Sequence, residues 1–353
     1  MNIYALWNNK GGVGKSYLSF QIAAEYARAH PDQKVLVVDL CPQANVSSML
    51  LGGIEDGEIR LEEMAGATPP RTIAGYVEDR IRSPYVNPHS GAQYVSQVRN
   101  FNRQIPENLY LICGDEQLEV QASRVSSATN PGPADAWRVV HQWISDLIND
   151  VVVSWNNQET RVFIDCNPSF SIYTELALSA ADRLIIPFSA DGSSKRAVRA
   201  VLSLVYGINR LRGAVARSDF AINSERFRMT IPKIYCYVGN RLTTINNGAA
   251  RAFRQVVNEI RDEIWAVWQQ TPNAFQIHPQ TVGVPTSRAA FTRMFQYEVN
   301  DANTASVVSG ALGIPMMNLT ARTYQLGGRA VTVNQSQLDR QQPNIQTLVA
   351  TIE

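Results

Sequence analysis

An apolar run, IYALW (3–7), gives way at once to a stretch crowded with glycine and lysine, NNKGGVGKS (8–16). Residues 15–29 follow with Leu18, Ile22 and Tyr26 on one helical face. A chain that passes from apolar strand to glycine turn to helix in so few residues has little choice of fold. The strand must lie inside a sheet, and the helix must cover it. The same rhythm recurs: KVLVVDL (34–40), NLYLIC (108–113), RVFIDC (161–166), RLIIPF (183–188) and IPKIYCYVG (231–239) read as strands. Helices are expected over 134–150, about 193–212 and 248–268. Uninterrupted β-branched runs alternating with helices predict an α/β fold, a doubly wound and mostly parallel sheet with helices on both faces. Residues 1–353 read as a single domain. The stretch 53–105 contains turn formers such as ATPPR and SPYVNPHSG. It is too long for a plain connection and is expected to be an insertion on the sheet's rim.

Composition narrows the class. Hydrophobic residues make up 45% of the chain, enough for a large core, and the net charge is +1. No global field therefore favours nucleic acid or membrane, and any such binding must come from a local patch. The four cysteines, Cys41, Cys113, Cys166 and Cys236, are far apart and form no C-x-x-C pair. They read as reduced thiols rather than a disulfide frame or a zinc site. The first ten residues lack the basic start and apolar core of a signal peptide, and no window approaches the ~18 continuous apolar residues of a membrane span. The expected location is cytoplasmic.

The glycine stretch carries the chemistry. Gly11, Gly12 and Gly14 remove side-chain obstruction, so successive backbone N–H groups can point at an anion. A helix starting near Lys15 adds its positive end. The loop closes with Gly14-Lys15-Ser16, in which Lys15 reaches the β- and γ-phosphates of a nucleotide and the Ser16 hydroxyl ligates Mg2+. The usual pattern G-x-x-x-x-G-K-[ST] needs glycine where this chain has Asn9, and a second lysine, Lys10, stands beside it. A dinucleotide site is not indicated, because G-x-G-x-x-G is absent.

KGGVGKS (10–16) resembles the deviant Walker A motif of the ParA/MinD family of P-loop ATPases, closest to the ParA/Soj-type partition ATPases. VLVVDLCPQANVSSMLLG (35–52) is similar to the family's D-x-D-P-Q-x-N segment, and VFIDCNPSF (162–170) resembles its Walker B strand and switch II. The resemblance runs discontinuously over roughly 1–52, 106–212 and 231–320. It implies ATP and Mg2+, with Gly11, Gly12, Val13, Gly14, Lys15, Ser16 and Tyr17 around the phosphates and Ser16, Asp39 and Asp165 at the metal. Asn167 and Pro168 take the place of switch II. Asn240 and Arg241, in YVGNRLTT, stand where members hold adenine, and Pro285 where a late loop closes on the base. Lys10 matches the lysine that crosses a dimer interface to the partner's phosphates, so the catalytic set is Lys15 and Asp39 in cis and Lys10 in trans. An ammonium buried without a counter-charge is costly, so Lys10 is expected to stay solvated, or to repel its symmetry mate, until a partner's triphosphate supplies one.

One departure stands out. The family's second carboxylate, which positions the attacking water, is replaced by Cys41. A thiol is mostly neutral at pH 7 and a poor base, although nearby lysines could lower its pKa. The resemblance then implies slow or partner-stimulated hydrolysis, unless Asn45 or Asn167 orients the water. It also implies an ATP-dependent homodimer, nonspecific DNA and a ParB-like or cargo-adaptor protein as partners, serving to partition or position a plasmid, chromosome region or protein cargo. Candidate DNA contacts are Arg196, Arg199 and Arg210, Arg251 and Arg254, and Arg288 and Arg293. The start at the first strand leaves no helix-turn-helix region, so operator-specific repression is not expected.

Three alternatives remain open. An ATP-binding scaffold without turnover follows if Cys41 abolishes hydrolysis. A MinD-like membrane switch needs an amphipathic basic tail, whereas QSQLDRQQPNIQTLVATIE has a proline in its middle and reads as a packing helix with no membrane role. A metal-cluster carrier would need two cysteines facing a dimer axis, with Cys113 and Cys166 as the candidates.

Overall fold

The computed structural model describes residues 1–130, 132–189, 191–208, 218–242, 248–279 and 283–353, and leaves the side chains of 241, 242 and 248–253 undescribed. In chain order the strands are β1 (Asn2–Leu6), β2 (Lys34–Leu40), β3 (Ser96–Gln97), β4 (Leu109–Ile112), β5 (Thr160–Cys166), β6 (Arg183–Phe188), β7 (Lys233–Leu242), β8 (Gln296–Asn300), β9 (Thr323–Leu326) and β10 (Arg329–Thr332). The helices begin with α1 (Lys15–Ala29), α2 (Asn45–Leu51), α3 (Ile54–Ala65), α4 (Ile73–Arg82), α5 (Gln117–Ala128), α6 (Ala136–His141) and α7 (Trp143–Ser154). They continue with α8 (Ile172–Ala180), α9 (Ser194–Tyr206), α10 (Asp219–Arg226), α11 (Gly248–Gln270), α12 (Arg288–Phe295), α13 (Thr304–Leu312) and α14 (Gln335–Val349).

Eight strands form one sheet in the order β3-β4-β2-β5-β1-β6-β7-β8, and β9 and β10 form a separate hairpin. Every neighbouring pair in the large sheet is parallel except β3 and β4. The pleat explains why both faces need cover. Ile3 and Ala5 join one buried cluster with Leu36, Val38 and Ile164. Tyr4 and Leu6 join the opposite one with Val35, Val37 and Phe163. Residues from α4 to α12 bury the first face, and α1 to α3, α13 and α14 bury the second. This is the expected doubly wound α/β fold.

Differences from the sequence reading have local causes. The helix expected over 134–150 is two, α6 and α7, which meet at Gln142. The break lets Trp143, Ile144 and Leu147 face the sheet while Trp137 stacks on His141. The stretch 53–105 supplies α3 to one face and α4 to the other, with Ile73, Tyr76 and Val77 fully buried. Arg80 of α4, itself buried, donates to Asp146 Oδ2 of α7 at 2.7 Å and bolts the segment to the core. The tail is a packing helix: Leu338, Ile345, Leu348 and Val349 of α14 are buried despite Pro343 inside it. Among the described residues no helix is long and apolar enough to cross a membrane.

Candidate active site

β1 lies between β5 and β6, and the chain leaves it first towards β2 on one side and later towards β6 on the other. In open α/β sheets the ligand crevice forms at the carboxyl ends of the strands where the winding reverses. Here that point is the end of β1. Leu6 pairs with Asp165, and Asp165 pairs with Asp39, so two carboxyls stand beside the start of the glycine loop.

The loop is shaped by two left-handed residues, Gly12 at φ 74° and Gly14 at φ 77°. A side chain at either strains the turn. Gly14 caps α1 with no side-chain hydrogen bond, and the first turn of α1 holds no acid. Its orphan N–H groups and positive end are left for an anion. Lys15 is buried, and its Nζ donates to the carbonyls of Lys10 at 3.0 Å and Asn8 at 3.4 Å. Burial lowers its pKa, opposed by the nearby Asp165. A buried ammonium held by carbonyl dipoles is suited to exchange them for phosphate oxygens.

Asp39 and Asp165 are both fully buried. Asp39 Oδ1 accepts from the Cys41 N–H at 3.0 Å, and Oδ2 from the Ser47 hydroxyl at 2.7 Å. The Gly114 N–H in turn donates to Ser47 Oγ at 2.9 Å. A Cβ on Gly114 would come within 2.9 Å of the Asp39 carboxyl, so glycine is required to admit it. Asp165 Oδ1 accepts from Ser19 Oγ at 2.9 Å, and Ser16 also bonds this carboxyl. Asp165 Oδ2 is buried without a partner among the described residues. Burial, and then the charge of Asp165, pushes the Asp39 pKa up to about 7; burial likewise raises Asp165. Two adjoining carboxyls, one orphaned oxygen and the Ser16 hydroxyl form a hard-oxygen donor set that fits Mg2+.

Cys41 is buried, and burial followed by the charges of Asp39 and Asp165 pushes its pKa up to about 12. Lys15 acts in the opposite direction but is outweighed, so the surroundings favour the neutral thiol. Asn45 is exposed and bonds Gln43, and Asn167 Oδ1 accepts from the Ser169 N–H at 3.2 Å. Phe170, in the same segment, packs on Trp7 with ring centroids 5.3 Å apart, linking this segment to the end of β1.

The placed side chains define the surroundings of the expected site residues. Lys10 is only partly exposed and already paired: its Nζ pairs with the Asp191 carboxylate and donates to Ser189 Oγ at 3.2 Å and Ser194 Oγ at 3.4 Å. The missing counter-charge is supplied from within the chain. The Tyr17 hydroxyl donates to Gln341 Oε1 of α14 at 2.6 Å, so only its backbone remains for a phosphate. Val13 is buried at 1% exposure, which leaves it the same backbone role. The buried Asn240 amide donates to the carbonyls of Val13 at 3.0 Å and Gly14 at 3.2 Å, and so braces the loop. Both bonds engage the amide nitrogen. The Arg241 and Arg251 side chains and Arg210 lie outside the described residues, and Pro285 is buried. Arg196, Arg254 and Arg293 are exposed, whereas Arg199 pairs with Glu263 and Arg288 with Asp262. Cys113 and Cys166 are buried, Cys113 against Met64, so neither faces outward to share a cluster.

Sequence reasoning missed Ser19, Ser47 and Asp191. Ser19 falls three residues after Ser16 on the same helical face, and that spacing could have found it. Asp191 meets Lys10 across 181 residues, and no local signal announces such a contact.

A family model described as AAA domain matches residues 1–218. A curated relative from Pseudomonas putida, described as an uncharacterized protein, is 25% identical over 192 residues, covering 54% of this chain and 56% of its own. The chain thus spans just over half the length of the curated relatives it matches. Among solved structures, an ATP complex of a McdA variant from Cyanothece superposes with TM-score 0.61 at 13% identity, covering 100% of this chain and 98% of the other. The pNOB8 ParA structure gives 0.51 at 14% identity, covering 84% and 80%. The pNOB8 ParA bound to nonspecific DNA gives 0.50 at 14% identity, covering 84% and 85%. These likenesses are of fold.

Proposed function

The chain belongs to the AAA domain family, with the fold of the ParA-type ATPases, and from that premise we propose that it is an ATP-dependent dimerising switch. Mg·ATP bound in the loop 10–16 brings two copies together. The dimer binds DNA without sequence preference to partition or position a plasmid, chromosome region or protein cargo, and hydrolysis releases it. One observation carries this reading: Lys15, Asp39 and Asp165 meet at adjoining strand ends beneath a left-handed glycine loop.

Each residue has a task. The N–H groups of 11–17 cradle the phosphates, and Lys15 exchanges its carbonyl partners for phosphate oxygens. Ser16 and Asp165 hold Mg2+, and Asp39, fixed by Ser47, orients the metal's water. Mg2+, when bound, neutralises charge on the phosphates. Lys10 approaches the phosphates of the other subunit. Cys41, a neutral thiol, takes no proton from the attacking water, and losing a positioned base costs a factor of ~10²–10⁴. Turnover is therefore slow until a ParB-like or cargo-adaptor protein stimulates it. The exposed Arg196, Arg254 and Arg293 are the first candidates for phosphate contacts on DNA. Fold likeness to a ParA bound to nonspecific DNA supports DNA as the ligand.

The test is light-scattering mass after incubation with Mg·ATP, with the nucleotide in each peak followed over time. A doubled mass retaining ATP for many minutes is the expected result, and an unchanged mass overturns the proposal. The buried neutral Cys41 also favours a second reading, an ATP-binding scaffold. Stoichiometric ATP retention with DNA and partner present would select it.

A further inference from the structure

Lys10 sits in a receptor formed by its own chain. An ammonium has three N–H donors, and here each has an acceptor: Asp191 Oδ2, Ser189 Oγ and Ser194 Oγ. The receptor is itself braced. Ser189 Oγ donates to Asp191 Oδ2 at 2.6 Å, and Ser193 donates to Oδ1 through its N–H at 3.0 Å and its hydroxyl at 2.8 Å. All four residues belong to the turn from β6 into α9, across β1 from the carboxyls of β2 and β5. Burial pushes the Asp191 carboxyl up, but the hydrogen bonds from Lys10, Ser189 and Ser193 outweigh it and hold the pKa well below the ordinary range. Lys10 has no donor left over, so any bond it makes to a phosphate must replace one it already has.

We propose that Asp191 is a latch that keeps Lys10 within its own subunit until nucleotide-driven assembly draws it out. The inference rests on the in-trans role given to Lys10 above. Asp191 thereby opposes the dimer, and ATP in the partner competes with Asp191 for the same ammonium. Asp191 bonds neither Asp39 nor Asp165, so opening the latch leaves the hydrogen bonds of the two carboxyls in place, while Lys15 is tied to Lys10 through the Lys10 carbonyl.

The pair is partly exposed, 24% at Lys10 and 44% at Asp191. Such pairs are worth a factor of about 2–5 each, and a dimer opens two, so Asp191→Asn is expected to tighten dimerisation about 4- to 25-fold. The measurement is the dimer dissociation constant of the full chain, by sedimentation equilibrium with Mg2+ and a saturating non-hydrolysable ATP analogue. Wild type, D191N, K10A and the double variant are compared. The latch predicts tightening by D191N when Lys10 is present and none in the K10A background. An unchanged or weaker D191N dimer overturns it. Equal tightening in both backgrounds also overturns it, because Asp191 would then act by repelling nucleotide. A K10A dimer as tight as wild type instead overturns the in-trans reading beneath it. Ser189→Ala removes a second acceptor and is expected to act in the same direction, which keeps the test decisive if D191N fails to fold.

Discussion

Asp39 ionises against its surroundings. Burial and the adjoining Asp165 keep its proton in place up to about pH 7, whereas in an unfolded chain it leaves near pH 4. Across that window the folded chain binds more protons than the unfolded one, so stability falls as pH rises. From about pH 5.5 to about pH 8 the loss is on the order of 2 kcal/mol, a drop of a few degrees in Tm by calorimetry. Asp39→Asn is expected to flatten that slope, and Mg2+ with nucleotide to raise Tm more at the higher pH. Cys41→Asp is expected to speed phosphate release at least about tenfold, read under saturating Mg·ATP, by restoring a water-positioning carboxylate. A flat rate would place the limit elsewhere. The phosphate loop was legible because its geometry is local: glycines, lysine and helix start lie within a few residues. The partners of Lys10, Tyr17 and Asn240 were not, since each contact closes across more than 170 residues.

At the scale of elements, α9 and α11 are laced together by Lys195 to Glu259 at 3.1 Å and by Arg199 to Glu263. Arg199, a candidate DNA contact, is thus already partly neutralised, as is the neighbouring Lys195. Glu263→Gln releases Arg199 and is expected to tighten binding to a random duplex about 2- to 5-fold at low salt, with a steeper salt slope by fluorescence anisotropy. An unaltered slope would exclude Arg199 from the interface. Strands with unbroken apolar runs, such as β2 and β6, were readable because burial on both faces leaves one pattern. The edge strand β8, QYEVN, is only partly buried and mixes polar with apolar residues, so it gave no such signal. The break between α6 and α7 was hidden because both pieces are helical and meet at Gln142 with no proline or glycine between them.

At the scale of the molecule, segment 53–105 is part of the core. Ile73, Tyr76 and Val77 are fully buried, and each such side chain contributes about 1.5–3 kcal/mol on burial. Deleting the segment is therefore expected to abolish cooperative unfolding rather than leave a smaller stable domain, as thermal denaturation of the shortened chain would read. Its turn-rich composition pointed to a rim, but composition does not reveal that three apolar positions at helical spacing face the sheet.

The order of strands also separates two events in time. The residues proposed to grip phosphate and metal stand in the loop and helix after β1 and at the ends of β2 and β5, while the turn holding Lys10 follows β6 on the far side. A subunit can therefore load its nucleotide while its outward-reaching lysine is still engaged at home. On the latch proposed above, loading and closure are successive steps, and a charged subunit can move away from where it met ATP before it closes on a partner. The Lys10–Asp191 pair then lengthens the interval between the two events.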